Sequence, residues 1–170
     1  MTLSRSRPPM VADERTQLLG WLDLQRALVR YKCEGLSEED AHRAVVPSSP
    51  LMTMAGLVSH LRWVEHCWFE VLFLNRPSDM NPQFHDPDDG DFMVDDRPLA
   101  ELLDEFEQQC AVSNEIVAAA SLDDVGLNPD FGSATATLRW ILLHMLEEVG
   151  RHVGQMDIVR ELLDGRKGYF

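Results

Sequence analysis

Apolar residues return at helical spacing through four long stretches of this chain, and no stretch alternates in the manner of a strand. The first runs from Asp13 to Glu34, where Leu18, Trp21, Leu22, Leu28 and Val29 mark one face and Gly35 ends it. The second is expected to begin at "SSP", a serine cap with Pro50 at the first helical position, and to reach Asn75. The third spans Pro98 to Ala120, with Asp95 or Asp96 as its cap, and the fourth Ser133 to Asp164, stopped by Gly165. The fold class is therefore all-α, a four-helix bundle, in one domain of 170 residues with residues 1–12 as an N-terminal extension.

The connectors are uneven. Residues 75–98, "NRPSDMNPQFHDPDDGDFMVDDRP", form a long inter-helix loop rich in Pro, Asp, Gly and Asn, suited either to a lid or to a mobile surface. Its "DPDDGD" resembles a calcium loop only superficially. Counted from Asp86, the sixth and twelfth positions hold Asp91 and Arg97, where an EF-hand needs glycine and glutamate.

Charge narrows the partners. A formal net charge of −14 repels phosphate backbones and anionic lipid, and no basic stripe offsets it, so neither nucleic acid nor membrane is expected. No apolar run reaches the length of a membrane span, and "MTLSRSRPPM" lacks the apolar core of a secretory leader. A cytoplasmic location is the expectation. Cys33, Cys67 and Cys110 are odd in number, widely spaced and sited in helical stretches, which reads as buried thiols.

The fourth stretch contains "HMLEEVGRHVGQMD", with His144, Glu148 and His152 at four-residue steps. On a helical wheel with His152 at zero, Leu138, Ile141, Met145, Val149, Met156, Val159 and Leu163 lie between about −20° and +60°. His152 is thus inside the apolar stripe, Glu148 about 40° to one side, and His144 about 80° off at its rim near Gln155. The second stretch places His60 in its own apolar stripe, while Arg62, Glu65 and His66 point elsewhere. His42 and His85 fall in connectors.

A lone core histidine is ordinarily a neutral, hydrogen-bonded ring, but a core-facing carboxylate costs several kcal/mol unless it is paired or binds a cation. Glu148 would have to find an arginine such as Arg26, drift to the interface, or share a metal ion with histidines. Residues four apart stand about 6 Å apart along one helix face and can grip one ion, whereas His144 and His152, about 12 Å apart, cannot do so comfortably. The wheel selects Glu148 and His152, joined by His60.

In these segments the chain resembles the DinB/YfiT-like superfamily of helical-bundle metalloproteins, in particular its DUF664 branch. "ADERTQLLGWLDLQRALVRYKCEGLSEEDA", "VPSSPLMTMAGLVSHLRWVEHCWF" and "LRWILLHMLEEVGRHVGQMDIVRELLDG" are similar to the family's first, second and fourth helices, in order. The last carries an H/E-x-x-x-H-x-G-Q type signature. The resemblance implies a metal held by His60, Glu148 and His152. Many relatives have histidine at the position of Glu148, while the mycothiol-dependent maleylpyruvate isomerases have glutamate. DUF664 relatives often have histidine at the position of Gln155.

Three protein ligands leave positions open, as a catalytic site requires. Two imidazoles and a carboxylate suit a divalent transition metal, zinc first, with nickel or iron as alternatives. The resemblance implies transfer of a low-molecular-weight thiol, mycothiol or bacillithiol, to a small electrophile, or thiol-assisted isomerisation. Small-molecule substrates and, for this class, a homodimer are expected, although no outer heptad seam identifies the pairing helices. Metal-dependent hydrolysis, with His144 as base, is the alternative, and a non-catalytic metal-binding or regulatory bundle is a third. His144 and Gln155 are candidates for groups supporting the ligands, and Trp63 and Trp68 for a pocket wall.

Overall fold

A computed structural model describes residues 5–85, 87–129 and 135–168. It has five α-helices: α1 Glu14–Cys33, α2 Glu38–His42, α3 Met54–Glu65, α4 Leu99–Ala119 and α5 Leu138–Asp164. The four long ones form the expected bundle, with α1 packed along α5 and α3 along α4; α3 also meets α5. Among the described residues the only β pairing is an isolated bridge between Val125 and Thr137. None of the described helices is long and apolar enough to cross a membrane.

Local chemistry explains the ends, and corrects several. Asp13 caps α1 by accepting from the Thr16 N–H at 3.0 Å. The second long helix does not start at "SSP". Residues 46–52 turn instead, with the Met52 N–H bonded to the Ser49 carbonyl, and Thr53 caps α3 through the Gly56 N–H at 2.9 Å. Neither Asp95 nor Asp96 caps α4: Pro98 occupies that position, and the Glu38 carboxylate of α2 accepts from the Leu99 N–H at 3.0 Å. A cap supplied by a short helix more than sixty residues away leaves no local signature. Thr137 caps α5; the expected start at Ser133 lies outside the described residues. Gly165, at φ 74°, closes α5 as expected, its N–H on the Glu161 carbonyl.

Beyond Glu65 the helix widens into a π-helical run, His66–Phe73, before the chain leaves the bundle. Across the interior, Arg26 and Glu65 form a two-pronged ion pair at 2.8 and 2.7 Å, both side chains fully buried. Arg26 therefore does not pair with Glu148. Its remaining donors reach Asp23 and Asn114, which satisfies a charge that would be costly in a dry core.

The long loop is docked rather than loose. Short 3₁₀ turns, Pro82–Phe84 and Gly90–Phe92, fold it against α3. Asn81, fully buried, donates to the Trp63 carbonyl at 3.1 Å, and Asp91 is 3% exposed. Gly56 is what admits this approach. A Cβ there would stand 2.6 Å from the Leu51 carbonyl oxygen and 3.0 Å from that of Phe92.

Candidate metal centre

α3 and α5 bring His60, Glu148 and His152 to one point near the bundle surface. His60 Nε2 lies 3.0 Å from His152 Nε2, and Glu148 Oε1 lies 3.3 Å from the first and 3.1 Å from the second. Among the described residues this is the one cluster of His, Cys and carboxylate side chains with metal-ligand spacing. His60 and His152 are 9% and 8% exposed, and the Glu148 side chain 13%.

The outward ring nitrogens are both committed. His60 Nδ1 donates to Asp91 Oδ2 at 2.6 Å, and His152 Nδ1 donates to Gln155 Oε1 at 2.6 Å. A carboxylate and an amide oxygen only accept, so the proton of each neutral ring is on Nδ1 and each Nε2 presents a lone pair. Two nitrogen lone pairs and a carboxylate oxygen thus face one another at contact distance, which is repulsive without a cation between them. Donors about 2.0–2.1 Å from a shared ion stand about 3 Å apart at right angles and about 3.4 Å apart at tetrahedral angles. The observed edges fall in that range, so the donor set fits a divalent ion.

Electrostatics agree. Burial alone would lower the His60 pKa, but its contacts with Asp91 and then Glu148 outweigh that and raise it. The neighbouring His152 and then His60 rings hold Glu148 well below the usual carboxylate range, against the opposing effect of burial.

The supporting groups only partly match expectation. Gln155, a candidate for its place three residues past His152, is in contact with that ring. His144 is one turn away and outside the cluster: its ring packs at 4.4 Å from Trp68 and 5.6 Å from Trp140, between centroids. Trp63 lies beneath the Arg62 guanidinium at 3.3 Å rather than at the site. Sequence reasoning missed Asp91 and Phe92, whose ring stacks on His60 at 4.1 Å. Both lie in a segment without periodicity, and Asp91 is one of several aspartates there. Its only sequence signal was a failed calcium-loop count.

A cavity of about 450 Å³ opens beside His152 and Gln155, walled by Leu51, Met52 and Phe92 with the serines of the α2–α3 connector. The cluster is therefore reachable from outside on its His152 side.

The family model for mycothiol-S-transferases matches residues 17–165, which takes in the bundle from the first turn of α1 onward and all the residues of the cluster. No curated protein and no solved structure matches the chain significantly. With a matching model over most of its length, an all-α bundle and the three-donor cluster in place, the chain belongs to the mycothiol-S-transferase family, a DinB/YfiT-like family.

Proposed function

We propose that the protein is a metal-dependent thiol transferase that joins a low-molecular-weight thiol of the mycothiol type to a small electrophile. The observation that carries this reading is the facing of two Nε2 lone pairs and one carboxylate oxygen at 3.0–3.3 Å beside an open cavity, in a chain of this family. His60, Glu148 and His152 hold the ion, with zinc the best chemical fit to two imidazoles and a carboxylate. The ion would lower the pKa of a bound thiol so that it is present as thiolate at neutral pH.

The chain's own residues do the rest. Asp91 and Gln155 fix the two imidazoles with Nε2 inward, which keeps both as donors and fixes their orientation. Phe92 covers the face of His60 and excludes water from that side. The protein's own thiols do not serve as nucleophile: burial pushes Cys33 and Cys67 up to about 12, and Cys110 well above its ordinary value. The attacking sulfur therefore comes from a cosubstrate.

Hydrolysis would ask for a general base at the open side. His144, its candidate, is engaged with Trp68 and Trp140, which weighs against it. A thiol panel with a chromogenic electrophile tests the proposal. Turnover should require both added thiol and metal, and turnover indifferent to thiol would reject it.

A further inference from the structure

The cavity beside His152 has a definite chemical character. Ser48 and Ser49 bring hydroxyls to it, Leu51, Met52 and Phe92 bring apolar surface, and Asp89 brings a carboxylate; among the described residues no lysine or arginine lines it. At about 450 Å³ it is of a size for a small organic molecule. Gln155 shares the wall with His152 and is not free to rotate, because its carbonyl oxygen is held by His152 Nδ1 at 2.6 Å. The other end of that amide, Nε2, makes no hydrogen bond to any described residue. Fixing Oε1 on the histidine thus leaves the amide's two N–H donors uncommitted on a residue that lines the cavity next to the cluster. A fixed donor there costs little further ordering when a ligand arrives.

We infer that Gln155 is a ligand-binding and specificity-determining residue: its carboxamide nitrogen takes a carbonyl, amide or hydroxyl oxygen of an uncharged ligand whose sulfur reaches the His60–Glu148–His152 cluster. Apart from its sulfur the ligand is uncharged, because the described lining offers hydroxyl and amide partners and a carboxylate but no lysine or arginine for an anionic group. Gln155 then has two roles through its two ends, orienting His152 and reading the ligand. The inference rests on the thiol-transfer reading above.

The two roles separate in Gln155→Glu. A carboxylate still accepts from His152 Nδ1 but has no donor to offer. The test uses full-length protein loaded with Co²⁺, titrated with N-acetylcysteinamide (neutral) or N-acetylcysteine (anionic), and reads the sulfur-to-cobalt charge-transfer band. Gln155→Glu should keep its cobalt and bind N-acetylcysteinamide roughly fivefold or more weakly than the parent, the scale of one lost hydrogen bond. Asp89→Asn should shift the affinity ratio of the two thiols roughly threefold toward N-acetylcysteine, the scale of one exposed charge. Unchanged N-acetylcysteinamide affinity in Gln155→Glu overturns the donor role. Loss of cobalt from Gln155→Glu also overturns it, by reducing the residue to a support for His152. An unaltered ratio in Asp89→Asn overturns the charge selection. If no thiol perturbs cobalt in the parent, the thiol-transfer reading falls, and this inference with it.

Discussion

His60 on α3 and Asp91 in the segment between α3 and α4 are joined by a 2.6 Å hydrogen bond from Nδ1 to Oδ2, with both side chains nearly out of solvent. That bond ties the docking of an irregular segment to the geometry of the metal cluster. Asp91 is itself held by Gln83 Nε2 at 2.8 Å, so the carboxylate is not free to follow a displaced ring. Asp91→Ala should retain the helical fold but lower metal affinity by about 10–100-fold, the usual effect of losing such a carboxylate. Competition against a metal-indicator dye measures it.

Gly56→Ala tests the same coupling from a distance. The added methyl would meet two backbone oxygens, of Leu51 and Phe92, that belong to the segments flanking the cavity. Neither is the end of a flexible side chain. Destabilisation of about 1–3 kcal/mol is expected, together with weakened metal binding, although the substitution touches no ligand. Denaturant titration and dye competition report the two effects separately.

The buried Arg26–Glu65 pair should act on stability alone. Glu65→Ala strands the Arg26 guanidinium in the core, at an expected cost of about 3–5 kcal/mol. Equilibrium unfolding checks the size. Metal stoichiometry of the folded fraction should stay at the parent value.

Metal affinity should fall on acidification earlier than an ordinary histidine would dictate. Binding needs neutral imidazoles, and Asp91 and Glu148 raise the His60 pKa above its ordinary 6.5. Protons therefore begin to displace metal above that pH. In the metal-free protein the same shift has the opposite sense. A raised pKa stabilises the fold fully below the unfolded value, and that stabilisation is lost as pH rises through the folded one. Dye competition across pH 5–8, a span of about three units around histidine's range, reads the first effect. Thermal unfolding of chelated protein reads the second.

The cysteines should be silent in the folded protein. All three are buried, with pKa values pushed upward by burial. A chromogenic disulfide reagent at mildly alkaline pH should react slowly with the native chain and with all three thiols once it is unfolded.

How much of this was legible follows from where each signal resides. The bundle could be read because helical period is local, and the same period placed His60, Glu148 and His152 on inward faces. Helix starts were read less well. Thr53, rather than Ser48 or Ser49, caps α3, and Glu38 caps α4 from another helix; a cap is chosen by tertiary geometry as much as by residue type. Asp91 was illegible because aspartates in an aperiodic loop look alike until the loop docks. Glu65 pointed away from His60, as the wheel indicated, but toward α1 and Arg26 rather than toward water. Gln155 was visible as part of a signature, whereas its bond to His152 needed coordinates.

Elemental analysis of protein purified without chelator tests the metal centre most directly. The parent should carry close to one equivalent of a divalent transition metal, and His60→Ala and His152→Ala should each lose it while His144→Ala keeps it. A parent chain with less than about 0.2 equivalents, or a His60→Ala variant that still holds a full one, would contradict the assignment.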